Sequence, residues 1–286
     1  MRQPRRSGSL LPGARGAAPL PGARRAAPVI AASLVAFALV LVTAAAPAVA
    51  DDAGSVTRSG GPVTATLAWN AADFGVSAPR LTVDRAGVSY APRIDDVCEV
   101  GCILTTGALK VADLDGDDEP EVLVDTFSGG AHCCLSARLF RWTGAGYART
   151  SIDWGDVGYT LRDLDRDEVP EMVGHDPVFS AAFTAYAASS FPPLVLRWNA
   201  GMTENVTERF PGLVRKDLGA QQRTLRRAIR RHYDVKGVLA ALVADRYLLG
   251  QGPAGLREVD RQRRAHRVGR SYKKQLLRFL RRAGYR

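Results

Sequence analysis

Two short segments are rich in Asp and Glu residues, whose carboxylates could bind a metal ion. Residues 113–121 read Asp-Leu-Asp-Gly-Asp-Asp-Glu-Pro-Glu, and residues 163–171 read Asp-Leu-Asp-Arg-Asp-Glu-Val-Pro-Glu. The frame returns after 50 residues, which indicates an internal repeat. Carboxylates at the first, third and fifth positions of a tight loop can converge, with a backbone carbonyl at the seventh position and a carboxylate at the ninth. Ca²⁺ prefers such oxygen ligands, so both loops predict calcium sites.

A cation would also remove an electrostatic cost of these loops. Carboxylates packed together without a cation repel one another, which raises their pKa values and destabilises the loop. The frame differs from an EF-hand, which requires Gly at the sixth position and Glu at the twelfth. The first copy has Asp118 and Val124 at those positions.

The D-L-D-G-D segment, followed by P-E-V and an apolar strand, resembles the calcium loop of integrin-type FG-GAP repeats, also called VCBS repeats. That family builds β-propeller blades of about this period in secreted and surface proteins. The resemblance implies these ligands in the first loop: the side chains of Asp113, Asp115, Asp117 and Glu121, and the carbonyl of Glu119. In the second loop it implies the side chains of Asp163, Asp165, Asp167 and Glu171, and the carbonyl of Val169.

The two loops differ at the turn position. Arg166 stands where the first copy has Gly116, and it brings a Cβ atom and a positive charge near the predicted ion. We therefore expect the second site to be the weaker one.

The segments around these loops have the pattern of a β domain. Residues 60–207 contain short runs rich in Val, Thr, Leu and Tyr between Gly, Pro, Asn and Asp, which predicts about ten strands. Hairpins are expected at Arg85-Ala86, Gly144-Ala145-Gly146 and Asn199-Ala200-Gly201. There is room for three copies of the repeat, whereas a closed propeller needs at least four blades. We expect an incomplete propeller-like domain or a sandwich, spanning residues 51–208.

The apolar period changes near residue 216 and predicts three or four helices in a small domain over residues 209–286, which makes the fold class α+β. Residues 209–286 carry a net charge of +17, whereas residues 51–208 carry −13. The helical surface could be matched by the acidic β domain. Alternatively, it could bind an envelope polyanion such as lipid headgroups or wall polymers, with no specific nucleic acid expected. The candidate polyanion-binding residues are Arg226, Arg227, Arg230, Arg231, Arg263, Arg264 and Arg267.

Residues 1–50 have the features of an export signal. The apolar run Val29–Val42 follows an arginine-containing segment and precedes Ala48-Val49-Ala50, an A-x-A cleavage motif. The alternative is an uncleaved membrane anchor. The sequence therefore predicts a secreted or cell-envelope protein that contacts a membrane only through this segment or its surface.

Export favours disulfides for the four cysteines, Cys98, Cys102, Cys133 and Cys134. A bond between the adjacent Cys133 and Cys134 would be strained, so we expect each of the first two cysteines to pair with one of the last two.

No nucleophile, zinc-protease or nucleotide-binding motif is found in the sequence. We therefore expect a non-catalytic, calcium-stabilised binding or interaction protein with a protein or carbohydrate ligand. Three aromatic residues could form a flat surface that binds a sugar ring, or could belong to the core: Phe183, Tyr186 and Phe191. One alternative is an envelope hydrolase with a site near His132. Another is a purely structural secreted protein. A cleft that brings together His132, His175 and a free carboxylate would favour the hydrolase, and a groove between the acidic β domain and the basic helices would favour binding.

Overall fold

The computed structural model describes residues 53–73, 75–94, 102–129 and 135–286. The predicted leader, Cys98, His132, Cys133 and Cys134 lie outside these residues. Within them, no helix has the length and apolar character needed to cross a membrane.

In the described part of the chain, twelve strands form three antiparallel sheets of four strands, and in each sheet the strands are neighbours in chain order. The first sheet contains β1 (Gly54–Gly60), β2 (Val63–Ala71), β3 (Val76–Arg85) and β4 (Val88–Tyr90). The second contains β5 (Ile103–Ala112), β6 (Glu121–Phe127), β7 (Leu135–Trp142) and β8 (Tyr147–Gly155). The third contains β9 (Tyr159–Arg162), β10 (Glu171–His175), β11 (Pro193–Asn199) and β12 (Met202–Asn205).

Each carboxylate loop connects the first two strands of its sheet. Residues 113–120 join β5 to β6, and residues 163–170 join β9 to β10. In the first sheet the equivalent β1–β2 connection is short, and its Gly61 lies beside Pro120 of the neighbouring loop. The predicted repeat therefore corresponds to one four-stranded unit, and three such units occur in the described part of the chain without forming a closed propeller.

Two apolar cores hold the sheets together. Side chains of the first and second sheets form one core, which includes Leu67, Leu81, Leu109 and Phe140. Strand β2 contributes alternate residues, as a half-buried strand should. A second core joins the second and third sheets, with members such as Leu123, Leu139, Trp154, Met172 and Trp198. Both carboxylate loops thus rest on packed scaffolds.

The strand prediction was close but not complete. The hairpins around residues 143–146 and 200–201 are confirmed. The remaining predicted hairpin turn, at Arg85-Ala86, is shifted by one residue. It consists of Ala86 and Gly87, because Arg85 still pairs with Val88. Ala86 and Gly87 both have positive φ angles, of 49° and 82°, which suit a two-residue hairpin turn.

The predicted helical region is confirmed as α1 (Pro211–Arg231), α2 (Lys236–Leu248), α3 (Gly252–Arg264) and α4 (Tyr272–Arg282). Their core is built around α2, which is buried from Gly237 to Asp245. Phe183 and Phe191 pack against this helical core, and the Phe183 ring lies 5.0 Å from that of Phe279. Those two aromatic residues therefore help to attach the helices to the β region.

Candidate functional site

The first carboxylate loop brings three predicted ligands together. One oxygen each from Asp113, Asp115 and Glu121 lies within 4.8 Å of the other two. Asp117 is exposed, and its carboxylate accepts the backbone N–H of Glu119 at 2.9 Å. The Glu119 side chain forms an ion pair with Arg85 at 2.5 Å. Three of the four predicted side-chain ligands thus converge on one point.

Asp113 organises the backbone of this loop. Its Oδ1 accepts the N–H of Gly116 at 2.7 Å, and its Oδ2 accepts the N–H of Asp118 at 3.0 Å. Gly116 has a φ angle of 78°, and a Cβ atom there would lie 3.0 Å from Val169 of the second loop. Glycine is therefore favoured at this turn by both conformation and space, although Arg166 adopts a similar left-handed conformation in the second loop.

Glu121 is fully buried beneath the loop. Its Oε2 accepts the backbone N–H of Leu114 at 3.0 Å, and its Oε1 accepts the indole N–H of Trp198 at 2.9 Å. Burial raises the pKa of Glu121 to about 7, against the opposing effect of these hydrogen bonds. A divalent cation beside the carboxylate would favour its charged form.

Asp115 provides an acceptor atom that no described residue uses. Its Oδ2 accepts the backbone N–H of Ala200, in the β11–β12 hairpin, at 3.0 Å. Its Oδ1 is buried and has no hydrogen-bond partner among the described residues. Burial raises the pKa of Asp115 as well. Buried oxygens without partners are costly, and a bound cation is one way to satisfy them.

The second loop repeats the backbone geometry of the first. Oxygens of Asp163, Asp165 and Glu171 again lie within 4.8 Å of one another. Asp163 accepts the N–H of Arg166 at 2.6 Å, and Glu171 accepts the N–H of Leu164 at 3.0 Å. In both loops the carboxylates at the first, third and ninth positions come together, whereas those at the fifth position, Asp117 and Asp167, lie outside the clusters.

The second cluster already holds a cation of its own. The guanidinium of Arg197, on β11, forms ion pairs with Asp165 at 3.4 Å, with Glu171 at 3.8 Å and with Asp167. The hydrogen bond from Arg197 lowers the pKa of Asp167. Arg197 thus neutralises part of the charge that a metal ion would otherwise neutralise, and the buried Oε1 of Glu171 has no hydrogen-bond partner among the described residues.

Sequence reasoning missed Arg197 and emphasised Arg166 instead. Arg166 donates its backbone N–H to Asp163 and has a left-handed φ angle of 67°. Arg197 has a counterpart in the second sheet, Arg141, because Phe140 pairs with Val122 as Leu196 pairs with Met172. Arg141 donates to the carbonyl of Trp142 at 3.2 Å and makes no ion pair within the described residues. The dipeptide Arg-Trp occurs at this position in both sheets. The sequence alone does not indicate that Arg197 pairs with carboxylates whereas Arg141 does not.

A groove of about 520 Å³ separates the third sheet from α1. Tyr159 and His175 line its β side, and Lys216 and Asp217 line its helical side. A groove between the β region and the helices is the feature expected of a binding protein, and its charged lining is mostly basic: Arg162, Lys216 and Arg223 against Asp217. His175 and Asp217 both line this groove, and the Asp217 carboxylate accepts a hydrogen bond from Gln221 at 3.0 Å. Because His132 lies outside the described residues, the proposed hydrolase site remains a prediction.

The predicted arginine patch is divided by the structure. Arg226, Arg264 and Arg267 line a second groove, of about 900 Å³, formed by the helices. Three further arginines line it that the sequence reasoning did not select: Arg246, Arg257 and Arg261. The other predicted residues, Arg227, Arg230, Arg231 and Arg263, are exposed outside this groove.

One of the four cysteines belongs to the described residues. Cys102 is buried, and its backbone pairs with that of Val76 through hydrogen bonds of 2.7 and 3.0 Å. The pairing expected for Cys98, Cys102, Cys133 and Cys134 stays a prediction.

Comparisons with known proteins found one matching family model and two relatives. Residues 214–284 match the family described as the sll0997 C-terminal domain. The chain is 29% identical over 149 residues to the probable thylakoid lumen protein sll0997 of Synechocystis, covering 50% of this chain and 44% of that protein. It is 30% identical over 95 residues to the uncharacterized protein y4bJ of Sinorhizobium fredii, covering 29% of this chain and 15% of that protein.

No solved structure matches this chain. The chain spans less than half the length of these two relatives. The family match covers nearly all of α1 to α4 and lies outside both carboxylate loops.

Proposed function

We propose that this protein is an extracytoplasmic, non-catalytic binding module whose first carboxylate loop holds a structural calcium ion. The buried, unpartnered Oδ1 of Asp115 is the observation that carries this proposal. The extracytoplasmic location is supported by the export-signal pattern of residues 1–50 and by the name of the Synechocystis relative, a probable thylakoid lumen protein. The repeat's resemblance to FG-GAP loops supports the choice of calcium.

The difference between the two loops supports a stoichiometry of one ion. In the first loop, Asp113, Asp115 and Glu121 converge without a cationic side chain among the described residues. In the second loop, Arg197 supplies the positive charge. Displacing a guanidinium that contacts three carboxylates would cost the ion much of its binding free energy, so the second loop should stay free of metal.

The bonding of the carboxylates supports a role in folding over a role in catalysis. Both oxygens of Glu121 accept hydrogen bonds, and the carboxylate is fully buried. A general acid or base must reach the substrate proton directly or through one water molecule. Glu121 is therefore placed to hold an ion, and the groove beside Tyr159 and His175 is the better surface for a ligand.

Thermal melting in Ca²⁺ and in chelator tests this proposal. The variant Asp115→Asn weakens the first loop, and Asp165→Asn is the matched control in the second. We expect millimolar Ca²⁺ to raise the melting temperature of the wild type and of Asp165→Asn, because an ion that binds the native state stabilises it. Asp115→Asn should lose that increase. The absence of a calcium-dependent increase in the wild type would overturn the proposal.

A further inference from the structure

The 900 Å³ groove of the helices combines an apolar floor with a basic rim. Helices α1, α2 and α3 form its walls. The buried side chains of Leu225 and Leu242 lie at its floor, with Ile229 beside them. Its charged lining consists of six arginines and two carboxylates: Arg226, Arg246, Arg257, Arg261, Arg264, Arg267, Glu258 and Asp260.

The two carboxylates of the groove are already paired. Glu258 contacts Arg261 at 2.6 Å and also accepts a hydrogen bond from Gln262 at 2.5 Å. Asp260 forms an ion pair with Lys273, a residue of α4, at 2.7 Å. Both carboxylates therefore already have cationic partners, and Asp260 also interacts electrostatically with Arg264.

Five of the six arginines have no carboxylate within ion-pair distance in the described part of the chain. Arg246 and Arg267 each donate to a neutral glutamine instead, to Gln251 and Gln262 respectively, the latter at 3.1 Å. No such side-chain partner is found for Arg226, Arg257 and Arg264 among the described residues. These residues line one concave space, so a bound anion would reduce the repulsion between their like charges.

We propose that this groove binds a phosphate-bearing anion. Arginine forks match phosphate oxygens in pairs, and several arginines around one concave site can contact one multiply charged group. The volume is that of a small-molecule site, and the apolar floor can accept the carbon part of a phosphate ester. A neighbouring hollow of about 480 Å³ shares Arg264 and Arg267 with the groove and adds Arg263 and Arg270, so the positive region extends past the end of α3.

The same chemistry could come from a soluble phosphate ester or from a phosphorylated lipid headgroup. Calorimetric titration with inorganic tripolyphosphate tests the soluble source. Sedimentation with phosphatidylcholine vesicles containing phosphatidic acid tests the lipid source. Binding of either probe supports the proposal if the groove variant described next weakens it.

The double variant Arg226→Gln with Arg264→Gln removes two groove arginines that hold no ion pair. The double variant Arg227→Gln with Arg230→Gln is the matched control, because it removes the same charge from exposed positions of α1 outside the groove. Each lost charge-assisted contact should weaken binding about tenfold. We expect the groove variant to lose roughly 100-fold in affinity and the control to lose less than about threefold, since the control arginines lie outside the groove and attract the anion only at longer range, where salt screens the attraction.

Two outcomes would overturn the proposal. Equal losses in the two double variants would mean that the anion is attracted by overall charge and not by the groove. Absence of binding to both probes in low salt would mean that the arginines hold no phosphate. Circular dichroism and thermal melting of each variant show whether the fold is intact. Neither outcome bears on the calcium proposal, whose residues lie in the second sheet.

Discussion

Trp198 of the third sheet donates its indole N–H to the buried carboxylate of Glu121 in the second sheet, at 2.9 Å. The β11–β12 hairpin that follows Trp198 contributes a second hydrogen bond, from the backbone N–H of Ala200 to Asp115. The first carboxylate loop is thus completed by the following sheet. The second loop lies in the last described sheet, and there Arg197 of the same sheet covers the carboxylates.

Trp198→Phe should destabilise the protein by about 1–3 kcal/mol in chelator, because Glu121 loses a donor while it stays buried. Urea unfolding followed by circular dichroism measures this loss. Trp142→Phe is the control at the equivalent position of the second sheet, where the ring packs near Tyr90 and Arg85, contacts that phenylalanine can keep. Equal losses in the two variants would argue against a specific role for the indole N–H.

Arg197→Gln should create a second calcium site. The variant removes the guanidinium from Asp165, Asp167 and Glu171 but leaves the loop backbone bonds in place. Calorimetry should then count two ions per chain where the wild type binds one. Arg141→Gln, the equivalent change in the second sheet, should leave one ion. If Arg197→Gln still binds a single ion, Arg197 is not what keeps metal out of the second loop.

Asp245→Asn should make stability less dependent on pH. Asp245 on α2 is completely buried, neither oxygen has a hydrogen-bond partner among the described residues, and burial raises its pKa to about 9. The folded state therefore holds a proton that the unfolded chain releases near pH 4. Stability should fall as pH rises from about 4 to about 9, by at most about 1.4 kcal/mol per pH unit from this group.

The asparagine variant cannot ionise, so it should be more stable than the wild type at pH 8, and the difference should shrink toward pH 4. Urea unfolding at several pH values measures both slopes. Asp217→Asn keeps Asp245 ionisable and should retain a pH slope over a narrower range, because the Asp217 carboxylate also raises the pKa of Asp245. Parallel slopes for the wild type and Asp245→Asn would show that Asp245 does not hold the proton.

Arg166→Gly should stabilise the second loop by about 0.5–1 kcal/mol, because Arg166 has a φ angle of 67° that glycine adopts at low cost. Gly116→Ala should destabilise the first loop, since its Cβ would lie 3.0 Å from Val169 and its φ angle is 78°. Thermal melting in chelator compares the two. A loss of stability in Arg166→Gly would contradict this assignment of strain.

Local patterns in the sequence predicted the elements better than the contacts between them. The alternation in β2, the four helices and the convergence of Asp113, Asp115 and Glu121 all followed from spacing within short segments. The role of Arg197 did not follow, because it depends on a rotamer choice between two identical Arg-Trp dipeptides. The groove arginines Arg246 and Arg257 were also missed, since which helix faces meet is decided by tertiary packing.

Calorimetric titration of the purified protein with Ca²⁺ tests the central claim most directly. The account predicts one ion per chain, with heat that disappears in Asp115→Asn and persists in Asp165→Asn. Absence of heat in the wild type at millimolar Ca²⁺, or undiminished binding in Asp115→Asn, would contradict the claim that the first carboxylate loop is a calcium site.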